Sequence, residues 1–110
     1  MNELIEQLFA EFSVPVSFLY YDGNETSYVT YQQSDSDSVL AADNTIINYV
    51  DYYDFDIYSK GNYFPIVESV KEILTAGGFI WQPSRSSADM YEKDTKYFHK
   101  TLCFAIERSN

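Results

Sequence analysis

Two apolar periods alternate along the chain. From Asn2 to Phe12, the residues Leu4, Ile5, Leu8, Phe9 and Phe12 recur at helical spacing and share one stripe of a predicted helix. Asn2 suits its N-cap, and Glu3 and Glu6 suit the positive end of its dipole. Ser13-Val14-Pro15 ends it, because the residue before proline avoids helical angles. Val16 to Tyr21 is rich in aromatic and β-branched residues, Asp22-Gly23-Asn24 signals a turn, and Thr26 to Gln32 alternates. Together these predict a β-hairpin. Thr45 to Ser59 keeps period two throughout, which predicts a long strand with a core face and a wet face. Ile47, Tyr49, Asp51, Tyr53, Phe55 and Ile57 share one side, and Asn48, Val50, Tyr52, Asp54, Asp56 and Tyr58 the other.

A helical period returns from Tyr63 to Ala76, where Val67, Val70 and Leu74 make a stripe that Ile66 and Ile73 widen. Asn62 can cap this helix, Pro65 sits harmlessly in its first turn, and Gly77-Gly78 stops it. Phe79 to Gln82 reads as a short strand and Met90 to Asp94 as a turn. Lys96 to Arg108 reads as a last strand with Phe98, Leu102, Phe104 and Ile106 facing one way. The order α-β-β-β-α-β-β predicts an α+β fold. Its mostly antiparallel sheet has about four to five strands and carries both helices on one face. The polar, serine-rich stretches predict mobile loops near 33–44 and 83–89.

The length of 110 residues fits a single domain, 1–110. Cys103 is the only cysteine, so no internal disulfide can form. No apolar run is long enough for a membrane helix, and the first residues carry no positive n-region. A soluble cytoplasmic protein with no membrane partner is therefore expected. The net charge of −10 disfavours tight nucleic-acid binding, whose affinity comes from Lys and Arg at phosphates. Its distribution says more. Residues 1–59 hold 11 acids and no base, whereas residues 60–110 hold 6 acids and 7 bases. Such asymmetry suggests a partner or a second copy.

Candidate chemistry is thin. Asp35-x-Asp37 fails as a calcium loop, since Leu40 stands where glycine is needed and Ile46 where glutamate is needed. Asp54 and Asp56 share a strand face, and Asp94-x-Lys96 echoes some metal-dependent nucleases, but spacing supplies no third acid. An outward polar face accounts for the pair more simply. His99 and Cys103 would lie about 13 Å apart along a strand, too far to share a metal or to form a nucleophile–base pair. Neither a catalytic residue, a metal site nor a cofactor is expected, and the chain reads as a structural or interaction protein rather than an enzyme. Its eleven tyrosines serve as strand formers and suit an interaction surface.

One resemblance is more specific. The block Asp56-Ile57-Tyr58-Ser59-Lys60-Gly61-Asn62-Tyr63 resembles a stretch of small tail-completion proteins from long-tailed phages and prophages of Gram-positive bacteria. The likeness extends from Asn2 to Glu107. It takes in Tyr28-Val29-Thr30-Tyr31, the helix ending in Ala76-Gly77-Gly78-Phe79, and the run from Asp89 to Lys100. These proteins are also described as tail terminators or tail-to-head joining proteins. The resemblance implies a helix, three strands, a helix and a further strand. It implies a homo-oligomeric ring, commonly a hexamer, at the head-proximal end of the tail tube. The ring's partners would be the tube protein and the head connector, with DNA passing through the lumen. The place would be the virion, after assembly in the host cytoplasm. Asp35, Asp37 and Asp43 in the first polar loop and Arg85 in the second are the candidate interface or lumen residues. Two other roles fit the same composition: a head-side neck or connector component, and a small acidic host-directed binding protein.

Overall fold

The computed structural model describes residues 2–41, 43 and 45–109. Its elements are α1 (Asn2–Leu8), β1 (Val16–Phe18), β2 (Ser27–Leu40), β3 (Ile46–Ser59), α2 (Phe64–Ala76), β4 (Ile80–Trp81), β5 (Met90–Glu92) and β6 (Tyr97–Ser109). A 3-10 turn at Pro83–Arg85 separates β4 from β5. The fold is α+β, as predicted. The strands form one 6-stranded sheet in the order β1-β2-β3-β6-β4, and β5 also pairs with β6. All pairings but β1–β2 are antiparallel. No helix among the described residues is long and apolar enough to cross a membrane.

β3 is the central strand, and its alternation sets the layers. Tyr53, Phe55 and Ile57 are buried beside Val29 and Tyr31 of β2 and Leu102 and Phe104 of β6. Ile5 and Phe9 from the first helical region and Val67, Val70 and Leu74 from α2 close over that face, so both helices lie on it. α2 ends in a Schellman motif. The Phe79 N–H donates to the Leu74 carbonyl and the Gly78 N–H to the Thr75 carbonyl, with Gly78 at φ 95°. A side chain there is strained, so Gly78→Ala is expected to cost about 1–2 kcal/mol in urea unfolding. Gly61→Ala, with nothing within 4 Å of the added carbon, is expected to be near neutral.

Four expectations need correction. The segments 16–21 and 26–32 do not make a hairpin: Val16, Ser17 and Phe18 run parallel to Val29, Thr30 and Tyr31. The chain breaks at Leu19, which has φ 70°, and loops back. The Tyr21 ring anchors that loop by stacking on Tyr28 with centroids 4.7 Å apart, and its hydroxyl accepts the Glu25 N–H at 3.0 Å. Aromatic stacking across the sheet thus outweighs the Asp-Gly turn signal. Second, residues 33–40 are not a loop but the outer half of β2, paired with β3 through a bulge near Gln33 and Asp35. The serines and aspartates tolerate extension because this half is exposed and needs no apolar partner. Of the predicted loop, Ala42 and Asn44 lie outside the described residues. Third, Met90–Glu92 is a strand on the edge of β6, held by a return turn in which Lys96 takes φ 63°. Fourth, α1 stops at Leu8 rather than Phe12. The chain tightens there, with i to i−3 bonds from Ala10 to Gln7 and from Phe12 to Phe9.

Candidate functional site

The sheet face away from the helices is polar at its centre. Asp54 and Asp56 project from β3, between Gln32 and Thr30 of β2 and Cys103 and Thr101 of β6. Asp56 accepts from the Thr101 hydroxyl, from His99 Nε2 at 3.2 Å and from Gln32 Nε2 at 3.5 Å. The His99 ring lies flat on Tyr58, with centroids 4.2 Å apart. Tyr58 stacks on Tyr28, and Tyr97 meets both edge-on. Burial, then the Asp56 charge, pushes the Tyr58 hydroxyl up to about 12. The tyrosines of this half therefore form a ladder with His99.

The other half of this face has a roof. After β4 the chain continues along the outer edge of β6, where Gln82 N–H donates to the Cys103 carbonyl and Ser87 N–H to the Thr101 carbonyl. The 3-10 turn between them bulges over the face. The Ser86 hydroxyl oxygen accepts from the Cys103 N–H at 3.0 Å and from the Trp81 indole at 3.1 Å. Arg85 lies over the Tyr52 ring at 3.8 Å and reaches Asp35 Oδ2 at 3.2 Å. The Ser36 N–H, then Arg85, holds the Asp35 carboxyl below its ordinary value.

Beneath this roof burial, and then the neighbouring Asp54 carboxylate, pushes the Cys103 thiol up to about 11. Burial likewise pushes the Asp54 carboxyl up, against hydrogen bonds from Cys103 and Ser34 that lower it. Cys103 is thus a thiol, not a thiolate, and is inaccessible. Native protein is expected to resist iodoacetamide at pH 8 and to react within minutes in urea. Rapid labelling of the folded chain would contradict this burial.

An aspartate at a histidine is the unit that orients a general base. Here the Thr101 hydroxyl donates to Asp56 rather than to His99, and the thiol is two residues further under the roof. The polar groups therefore bind one another as a structural network. Among the described residues no group of three or more His, Cys, Asp or Glu side chains comes together to hold a metal.

The sequence matches no protein-family model and no curated protein. The site is therefore read from its own residues. Of the four candidates, the fold brings Asp35 and Arg85 together and leaves Asp37 and Asp43 outward along the β2–β3 hairpin. The Asp43 carboxylate accepts the Thr45 N–H at 3.1 Å, shaping the turn. Sequence reasoning missed a second ion pair on the helix side. Asp51 Oδ2 accepts from Arg108 Nε at 2.8 Å, and its Oδ1 from the Ser36 hydroxyl at 2.6 Å. The signal was available: Asp51 is the lone carboxylate on the apolar side of β3.

The two ends of the sheet differ. At the hairpin end Val39, Leu40 and Ile47 are exposed among acids. At the opposite end Lys60, Tyr91, Lys96 and Phe98 line an open groove of about 450 Å³.

Proposed function

We propose that this protein is a structural subunit of a phage tail, a terminator or tail-to-head joining protein that works as a homo-oligomeric ring. The observation that carries the reading is the element order. The resemblance implies a helix, three strands, a helix and a further strand, and the chain has α1, then β1 to β3, then α2, then the closing strands. Charge supports it. A cyclic ring joins two unlike surfaces of each subunit, and the acids of residues 1–59 are separated along the sequence from the bases of residues 60–110, although the fold pairs Asp35 with Arg85 and Asp51 with Arg108. The polar face supports it too, because its carboxylates, histidine and threonine are committed to internal hydrogen bonds.

In this role the ring caps the tail tube and presents a surface to the head connector, and DNA passes through without being gripped. Arg85 neutralises Asp35, so of the candidate interface or lumen acids only Asp37 and Asp43 remain without an ion pair among the described residues.

The test is to delete the gene from a phage or prophage that carries it and to image the lysate by negative-stain electron microscopy. Overlong tails are expected if the protein terminates the tube, and normal-length tails apart from filled heads if it only joins. Intact infectious virions would overturn the reading and favour a host-directed binding protein.

A further inference from the structure

The two ends of the sheet expose different groups. The hairpin end exposes three apolar side chains, with Leu40 53% and Ile47 49% exposed and Val39 38%. Asp37, Asp43 and Glu107 belong to this end and none forms an ion pair among the described residues, whereas Arg108 there is paired with Asp51. The opposite end is a groove with an aromatic wall, where Tyr91 is 50% exposed and packs on Phe98 at 4.9 Å. Lys60 and Lys96 flank it. Four of the chain's five lysines, Lys60, Lys93, Lys96 and Lys100, belong to this end. Lys100 pairs with Asp89, and Asp22, Glu25, Glu92 and Asp94 also lie at this end, so the positive charge is local to the groove, at Lys60 and Lys96.

These two surfaces cannot meet within one chain. They lie at opposite ends of β3, about 43 Å apart by strand rise, and the molecule extends 53 Å along its longest axis. We infer that the hairpin tip of one copy seats Leu40 and Ile47 in the Lys60–Tyr91–Lys96–Phe98 groove of the next, with Asp37 and Asp43 against the lysines. The occupant is a second copy because the acidic, apolar tip is what the basic, aromatic groove lacks. The contact joins one end to the other, so it leaves a tip and a groove open at each step. It therefore builds a closed ring or a filament rather than a symmetric dimer. The area is small, so each contact is weak alone and gains strength when the ring closes. This deepens the ring reading by naming the surfaces that meet.

Disulfide trapping tests it, because Cys103 is buried and silent. Full-length Leu40→Cys and Tyr91→Cys chains are mixed at high concentration and mildly oxidised. A 40–91 cross-link is expected at least tenfold above that of Leu40→Cys with the exposed helical Glu68→Cys. The double variant Leu40→Cys/Tyr91→Cys is expected to give a ladder on a non-reducing gel. In sedimentation, Lys60→Glu/Lys96→Glu should need at least tenfold higher concentration to associate, and Asp37→Lys/Asp43→Lys on the partner should restore it. Circular dichroism checks that each variant is folded. No excess over the Glu68 control, or a dominant 40–40 dimer, overturns the contact. Either result combined with detached or overlong tails in the deletion lysate would reject this interface and leave the tail role standing. A trapped 40–91 pair with intact virions would do the reverse.

Discussion

Phe55→Ala is expected to remove about 3–5 kcal/mol of folding stability, the largest loss of any single core truncation in this chain. Phe55 is fully buried at the middle of the central strand. Its ring meets Tyr31 at 5.7 Å, Phe104 at 6.0 Å, and Phe9 and Phe79 each at 6.3 Å. Those four partners come from β2, β6, the end of the first helical region and the cap of α2, so one side chain ties both helices to three strands. Removing it leaves a cavity whose walls are rings and cannot collapse inward as aliphatic side chains would. Total stability for a domain of this size is about 5–15 kcal/mol, so the variant loses a large share of it. Urea unfolding followed by tyrosine fluorescence is the check, with a midpoint expected about 1.5–3 M lower at an ordinary slope. Phe55→Leu keeps most of the volume and is expected to lose about half as much or less. Equal midpoints for wild type and the alanine variant would mean that β3 is not the centre of the core.

That centre was legible in the sequence because period-two patterning over Thr45 to Ser59 admits only one assignment of faces. α2 was legible for the same reason, with its stripe, its early proline and its terminal glycines agreeing. The missed features are those decided by contacts far apart in the chain. The outer half of β2 has the composition of a loop and is a strand because β3 offers it a ladder. The parallel path of β1 is made by backbone bonds to β2 that no local signal announces, with Tyr21 beyond it stacked on Tyr28. The Arg85–Asp35 bridge spans fifty residues of sequence. Local propensity carries no information about any of these.

The second large effect is expected from Arg108→Ala, and its dependence on pH identifies the cause. Asp51 is only 2% exposed, and its carboxylate is held by the Arg108 guanidinium and the Ser36 hydroxyl. Arg108 itself is half-exposed and stacked over Tyr49 at 4.3 Å. Removing it leaves a buried charge with a single neutral donor, an expected loss of about 2–3 kcal/mol near pH 7. For a chain of this size that is a fall in Tm of about 8–20 °C. In the wild type the hydrogen bond from Arg108 is the main reason the Asp51 carboxyl sits below its ordinary value, against the opposing effect of burial. A depressed folded pKa contributes stability above the unfolded value of about 4, lost as pH falls through the folded one. In the variant burial acts without the guanidinium, so the Asp51 carboxyl rises above its ordinary value and protonation relieves the strain. The gap between the two proteins is therefore expected to be widest near neutrality and to shrink steadily from pH 6 to pH 3. Asp51→Asn in the Arg108→Ala background removes the stranded charge and is expected to recover part of the loss at pH 7 and none at pH 3. A gap that stays constant across this range would assign the effect to lost packing on Tyr49 instead of to the carboxylate.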